Sequence, residues 1–471
     1  MLPSLIRDGS FFYCNSFKCA CIFFCDYLGG NGVMSDENRR TIRFRDILIL
    51  GFAFFATYFG AGNLIFPPQL GLNSGSDFLS GLAGLTLSGI FLPIFTLIII
   101  GLNGDVHAIT DRVGKHAYQI VLAALMIVCT FISIPRTCAT AIQMGIQGNI
   151  PAAPFIPLVI VYFAISFFFA SDKNSVMDRM GKYLTPLLAL ILVAIALIGV
   201  LHPLGTPGTP AVPQAFVNAF LGGYNTGDVL VSFIMASVFI SAINRKGYVA
   251  LQQRNKTLFY CGIVAFILLF VIYGSLLYMG ACVSSEYPQN IGRAELLVAI
   301  IQRVGGAVMI PMGVAVILAC LTTAIGQITA VGEFVNVVTK DRISYKIAAI
   351  VCCILSALTA LLGVDGIVTY IGWVYSVTYP PCLALMVLGI VGKAVTTNGA
   401  HKGSVYLVLI YALLESLPGL SNLAFAKAIV AMTPLSSYGF GWVPVFVIGF
   451  IGGLIIGKIY DRKQADVPAY K

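Results

Sequence analysis

Charge is what this chain has least of. Asp, Glu, Lys and Arg together make up 10% of its 471 residues, against about 25% in a soluble globular domain. Hydrophobic residues reach 58% and mean hydropathy is +0.93. The shortage of charge therefore excludes a soluble enzyme and places the chain in a lipid bilayer. No long polar insert interrupts the apolar runs, which argues against several soluble domains. The four histidines, His107, His116, His202 and His401, fall in segments read as loops, so histidine metal chemistry is not expected. His-Glu-x-x-His, Gly-x-Ser-x-Gly and Gly-x-x-x-x-Gly-Lys-Ser/Thr are all missing, which removes the metalloprotease, hydrolase and ATP-binding readings. The net charge of +9 comes from short loops rather than one basic patch, so no nucleic-acid partner is expected.

What is present is a series of apolar runs. Twelve candidate spans lie at approximately 47–70, 79–102, 118–142, 155–170, 184–201, 216–243, 258–281, 305–332, 346–363, 366–391, 404–430 and 442–459, most near the roughly 20 residues a crossing requires. The tenth holds Pro380 and Pro381 and is expected to kink. The eleventh, with Glu415, Pro418 and Lys427, is the least regular. Lys and Arg crowd one set of loops: Arg39, Arg40, Arg43 and Arg45 before the first span, then groups such as Arg245, Lys246, Arg254 and Lys256. The opposite side holds only Arg136, Arg293, Arg303 and Lys427, so both termini are expected in the cytoplasm.

Within the first run, Phe59-Gly60-Ala61-Gly62-Asn63-Leu64-Ile65-Phe66-Pro67-Pro68 combines glycines, an amide and a proline pair. Lipid offers no water to satisfy freed backbone groups, so such a break must line a protein-enclosed cavity. A second break, Gly222-Gly223-Tyr224-Asn225-Thr226-Gly227-Asp228, lies in the sixth run. Matching breaks in the first and sixth spans point to inverted repeats with a binding site between them, the layout of a secondary transporter. For either break alone, a plain kink or a close helix contact is an equally good reading. Freed N–H groups favour a carboxylate, freed carbonyls favour a cation, and Asn63, Asn225 and Thr226 add neutral partners. That combination suits a zwitterion. Thr322 and Thr323, deep in the eighth span, read either as ligands for sodium or as hydroxyls bonded to their own helix. Asp228 reads as a cavity-facing coupling group, a cap for the second half-helix, or a partner of Arg136.

These segments resemble the bacterial branched-chain amino acid:cation symporters, the LIVCS group. The resemblance rests on Phe59 to Pro68, Ile134-Pro135-Arg136-Thr137, Met180-Gly181-Lys182-Tyr183-Leu184-Thr185-Pro186 and Gly223-Tyr224-Asn225-Thr226, and runs from Met34 to the last span. It implies an all-α integral membrane protein of about twelve helices. That fold is a LeuT-like five-plus-five inverted repeat, with helices one and six discontinuous and two helices added. Repeat one would cover about 46–202, repeat two about 216–391 and the additional helices about 404–459, all within one domain from 34 to 471. The resemblance further implies sodium-driven uptake of leucine, isoleucine and valine through the bacterial cytoplasmic membrane. It implies no cofactor beyond the coupling ion and no obligate protein partner. Substrate would touch Phe59, Gly60, Ala61, Gly62 and Asn63, with Gly223, Tyr224, Asn225, Thr226 and Gly227. Sodium would be held by carbonyls of Ala56, Phe59 and Ala319 and hydroxyls of Thr322 and Thr323. Proton coupling through Asp228, and a related substrate such as methionine, are the alternatives.

The chain departs from the family pattern twice. Gly227 stands where a larger apolar residue is expected, implying a roomier pocket. Gln143 stands where glutamate is expected, and an amide cannot titrate. Residues 1–33, with Cys14, Cys19, Cys21 and Cys25 in no zinc spacing, read as an N-terminal extension ahead of a working start at Met34. The other eight cysteines sit in apolar runs and read as small hydrophobes.

Overall fold

The computed structural model describes residues 42–171, 185–392, 394–395, 397–417 and 419–465, with side chains placed to residue 459. The expectations for residues 1–33, and for Met180 to Leu184 of the third family segment, lie outside the described residues. Every regular element among the described residues is helical. Seven stretches are long and apolar enough to cross a membrane by length and composition: Ala61–Asn103, Ala117–Ile146, Asp228–Arg245, Leu251–Cys282, Gly306–Val338, Gly363–Val391 and Trp442–Ile459. Phe155–Ala170, Thr185–Leu201 and Tyr345–Ala360 are apolar but shorter.

The first run divides into α1 (Phe44–Tyr58) and α2 (Ala61–Ser74), with Gly60 extended between them at φ −130° and ψ −162°. The proline pair is not the break. Pro67 and Pro68 lie inside α2, where each removes one helix hydrogen bond. Close packing compensates: a Cβ on Gly280 would come within 2.1 Å of the Pro68 carbonyl, and one on Gly71 within 1.9 Å of the Leu277 carbonyl. Helix α2 thus lies backbone to backbone against the long helix of Leu251–Cys282, as small residues permit between membrane helices.

Helices α3 (Phe78–Leu85) and α4 (Leu92–Asn103) join through a wide π-helical turn and form the second run. After the short α5 (Val106–Thr110), the third run carries α6 (Ala117–Val128) and α7 (Ile134–Thr140), with wide turns on both sides of α7. Then come α8 (Phe155–Ala170) and α9 (Thr185–Leu201). The sixth run divides into α10 (Ala215–Tyr224) and α11 (Asp228–Arg245). They are followed by α12 (Leu251–Cys282), α13 (Arg293–Val304), α14 (Met309–Val338), α15 (Tyr345–Ala360) and α16 (Gly363–Val391). Helix α16 continues through Pro380 and Pro381.

The expected eleventh span, 404–430, is corrected. Helix α17 (Asn398–Ser416) ends short of Pro418, and a separate α18 (Ala424–Met432) follows before α19 (Trp442–Ala465). A proline biases the residue before it away from helical geometry, which fits an end at that point. His401, expected in a loop, is buried within α17. Helices α17 and α19 meet along a glycine seam: a Cβ on Gly399 would stand 2.2 Å from the Gly453 carbonyl, and one on Gly403 2.3 Å from that of Gly449. The eight cysteines among the described residues are all buried and unpaired, in keeping with their reading as small hydrophobes.

Candidate site at the two helix breaks

The two breaks lie together in the core. Phe59, Ala61 and Asn63 from the first, and Tyr224, Thr226 and Asp228 from the second, are all buried. One amide ties them. Asn63 Nδ2 reaches back across the first break to donate to the Tyr58 carbonyl, and donates to Asp228 Oδ2 at 3.1 Å. Tyr273 on α12 donates its hydroxyl to the same carboxylate oxygen at 3.4 Å. Asp228, 2% exposed, therefore faces neutral donors. It is the first residue of α11, and the N-cap position is held by Gly227. Below the break, Tyr58 Oη meets Ser232 Oγ at 2.9 Å and the Pro93 carbonyl at 3.2 Å, which fixes α1 against α4 and α11.

Arg136 was expected at an outer helix end, and the structure places it elsewhere. It is 4% exposed and donates from Nη1 to the Asn225 carbonyl at 2.8 Å and from Nη2 to the Thr226 carbonyl at 2.9 Å. The carbonyl end of α10 is thus occupied by a guanidinium, as the negative pole of a helix favours. Gly62 makes room for it, since a Cβ there would lie 2.9 Å from Nη2. Arg136 and Asp228 form no ion pair within 4 Å among the described residues. The signal for Arg136 was present in the sequence: a lone arginine in an apolar run is functional by default.

Gly227 takes φ +82°, a left-handed conformation that side chains disfavour. The room its missing side chain leaves is filled by Tyr375, whose hydroxyl would lie 2.9 Å from a Cβ. The expectation of a roomier pocket at this position is therefore corrected. Gln143 is also accounted for: its Oε1 accepts from Val364 N at 3.1 Å, at the start of α16.

Four of the residues nominated for sodium, Phe59, Ala319, Thr322 and Thr323, lie close together. Thr323 Oγ1 lies 3.3 Å from the Phe59 carbonyl and 3.0 Å from the Ala319 carbonyl, and Thr322 Oγ1 lies 2.9 Å from that same Ala319 carbonyl. Both hydroxyls do bond back to their own helix, and Thr323 in addition spans to the first break. Ala56, 1% exposed, lies in the last turn of α1, where carbonyls have no intrahelical donor. Two of its neighbours are taken: the Phe55 carbonyl by Phe59 N, and the Tyr58 carbonyl by Asn63. The set is made of neutral oxygens, which suits a hard monovalent ion. Among the described residues, no cluster of His, Cys, Asp and Glu could hold a metal.

A cavity of about 510 Å³ reaches the second break at Tyr224 and Asn225. Phe66, Leu70, Leu221 and Trp442 supply apolar wall, while Gln69, Arg293 and Glu415 supply polar groups. Arg293 has its Cζ 5.7 Å from the Phe66 ring centre, and Arg136 stands 5.9 Å from the same centre. Burial lowers the pKa of the Arg293 guanidinium, with Asp365 opposing the shift. Glu415 accepts from the Tyr411 hydroxyl at 3.2 Å.

Comparisons with known proteins bear on the fold and the family. The branched-chain amino acid permease BraB of Bacillus subtilis is 28% identical over 437 residues, covering 89% of this chain and 97% of its own. Among solved structures, the chain resembles Mhp1, a nucleobase-cation-symport-1 family transporter bound to bromovinylhydantoin. The TM-score is 0.56 at 16% identity, covering 93% of this chain and 98% of that one. A Na+-coupled sialic acid symporter in a substrate-bound outward-open state gives TM-score 0.56 at 13% identity, covering 92% of each chain. At such identities the likeness shows the fold alone, and that fold is LeuT-like. Residues 43–460 match the family described as branched-chain amino acid transport protein, and the chain belongs to that family, a family of multi-pass membrane carriers rather than enzymes.

Proposed function

We propose that this carrier imports leucine, isoleucine and valine by sodium symport with alternating access. The working site lies between the breaks, substrate touching Phe59 to Asn63 and Gly223 to Gly227. Sodium binds the carbonyls of Ala56, Phe59 and Ala319 and the hydroxyls of Thr322 and Thr323. The observation that carries this reading is the convergence of the Phe59 and Ala319 carbonyls with two buried hydroxyls. The name of the sialic acid symporter, which shares the fold, adds support for sodium. The cavity of about 510 Å³ beside Tyr224 and Asn225 is the route from outside. Repeat one covers about 46–202, repeat two about 216–391, and α17 and α19 are additions. The membrane is the bacterial cytoplasmic membrane with both termini inside.

The driving force suffices. One charge moved through 100 mV is worth about 2.3 kcal/mol, and a tenfold ion gradient about 1.4 kcal/mol more. Together they sustain roughly 500-fold accumulation of a zwitterion carried with one ion.

The test is uptake of labelled isoleucine into proteoliposomes under a sodium gradient, with potassium and proton-only gradients as controls and methionine as competitor. Sodium-dependent accumulation supports the reading; no accumulation under either the sodium or the proton gradient, in folded protein, defeats it. A second reading, proton coupling, draws on Asp228, a carboxylate buried between the breaks with two neutral donors. It predicts accumulation under protons alone that is lost in Asp228→Asn.

A further inference from the structure

One buried side chain beside the nominated sodium ligands has no task in the site described so far. Gln327, on α14, is 2% exposed, and neither its Oε1 nor its Nε2 has a hydrogen-bond partner among the described residues. It lies one helical turn beyond Thr323 and lines a small space with Thr57, Val231, Met235, Thr322, Thr323 and Gly326. A primary amide buried with both ends free bears its full desolvation cost, so such a group ordinarily has an occupant to bind. Thr57 Oγ1 donates to the Ala53 carbonyl at 2.9 Å, which leaves its lone pairs to serve as acceptors for a cation. The acceptors facing this space are neutral oxygens, and the remaining wall is apolar. A divalent ion or a carboxylate is poorly matched to that lining, whereas a dehydrated monovalent cation fits.

We propose that Gln327 and Thr57 form a second cation position, adjoining Thr322 and Thr323, through which the coupling ion passes on its way along α14. The two positions share the threonine hydroxyls, so an ion moves between them without losing all its oxygen ligands at once. Met235, whose Sδ-methyl end lies 3.4 Å from where a Cβ on Gly326 would stand, closes the space with a flexible side chain. The inference rests on the reading of Thr322 and Thr323 as the sodium site, and the experiment separates the two.

Isoleucine uptake is measured against sodium concentration for wild type, Thr323→Ala, Gln327→Met and Gln327→Glu in proteoliposomes, with 22Na binding to the purified protein as a second readout. Gln327→Met keeps length and removes the amide. It is expected to raise half-saturating sodium about fivefold or more, the scale of one lost polar contact, while the isoleucine KM at saturating sodium stays near wild type. Gln327→Glu, which adds charge to the ligand, is expected to lower half-saturating sodium. A purely structural role would change protein yield and isoleucine KM together. If Gln327→Met does not purify as folded protein, Gln327→Asn takes its place, with a smaller shift in the same direction. Wild type and Thr323→Ala responding to sodium as expected while the Gln327 variants match wild type would overturn the inference alone. Wild-type uptake indifferent to sodium would overturn the sodium reading, and the inference with it.

Discussion

The two helix breaks look alike in sequence and differ in what they do with their carbonyl ends. At the second, the Asn225 and Thr226 carbonyls are held by the two ends of one guanidinium from Arg136. At the first, the Phe59 carbonyl meets the hydroxyl of Thr323, beside Ala319 and Thr322. Both ends are negative poles of half-helices and attract positive charge. One has a permanent cation built into the chain; the other is met by a neutral hydroxyl. On the sodium reading proposed above, the difference teaches why one coupling ion suits this pair of breaks: the second pole already has its counter-charge in Arg136.

The sharpest way to break that contrast is to remove the resident cation. Arg136→Met strips two carbonyls, the buried one of Thr226 and the half-buried one of Asn225, of their donors, at about 1–3 kcal/mol for the buried one. The expected result is uptake at background and a thermal unfolding midpoint in detergent well below wild type. Arg136→Lys should rescue stability in part and transport little, because one ammonium does not reproduce the planar fork. Next in size is Gly62→Ala. Its added methyl would sit 2.9 Å from Arg136 Nη2, an overpacking of about 1–3 kcal/mol. Isoleucine uptake is expected to fall about tenfold or more, the rate such a cost corresponds to. Thr323→Ala acts on the other pole and sharpens the comparison. It should raise half-saturating sodium about tenfold, as loss of one good polar contact implies. Arg136→Lys, by contrast, should lower maximal uptake without that sodium shift. The smallest effect is expected from Gln143→Glu. The new carboxylate still accepts from Val364 N, the contact Gln143 Oε1 makes at 3.1 Å, and lies at the start of α16 rather than at either break. Uptake within about twofold of wild type would agree, the helix-terminal charge being worth under about 1 kcal/mol; a large change would give position 143 a role in coupling.

Much of this arrangement was legible in the sequence because lipid makes backbone breaks conspicuous. Gly60, Asn63, Gly223 and Asn225 stand out in apolar runs for the same physical reason that they are tolerated only around a cavity. What the linear pattern does not carry is pairing. Asn63 and Asp228 meet across 165 positions, and Arg136 reaches Thr226 across 90; no periodicity reports such contacts. Gly227 misled for a related reason. Its lack of a side chain suggested open space, but Tyr375, from a helix far along the chain, fills it. Pro67 and Pro68 drew attention as helix breakers, yet close packing against α12 lets α2 run through them. Gln327 went unremarked because one amide in an apolar helix carries no spacing signal, and only its burial without a partner sets it apart.

The glycine seam between α17 and α19 has a mechanical consequence. Contacts made backbone to backbone contain no rotatable side chains, so the two helices are joined as a plank rather than as two rods. Glu415 on one of these helices and Trp442 on the other both line the cavity of about 510 Å³. Under the alternating access proposed above, these two residues keep their spacing. The mouth of the cavity then has one stiff lip, and the motion that narrows it falls to the facing residues of α2, α10, α13 and α16.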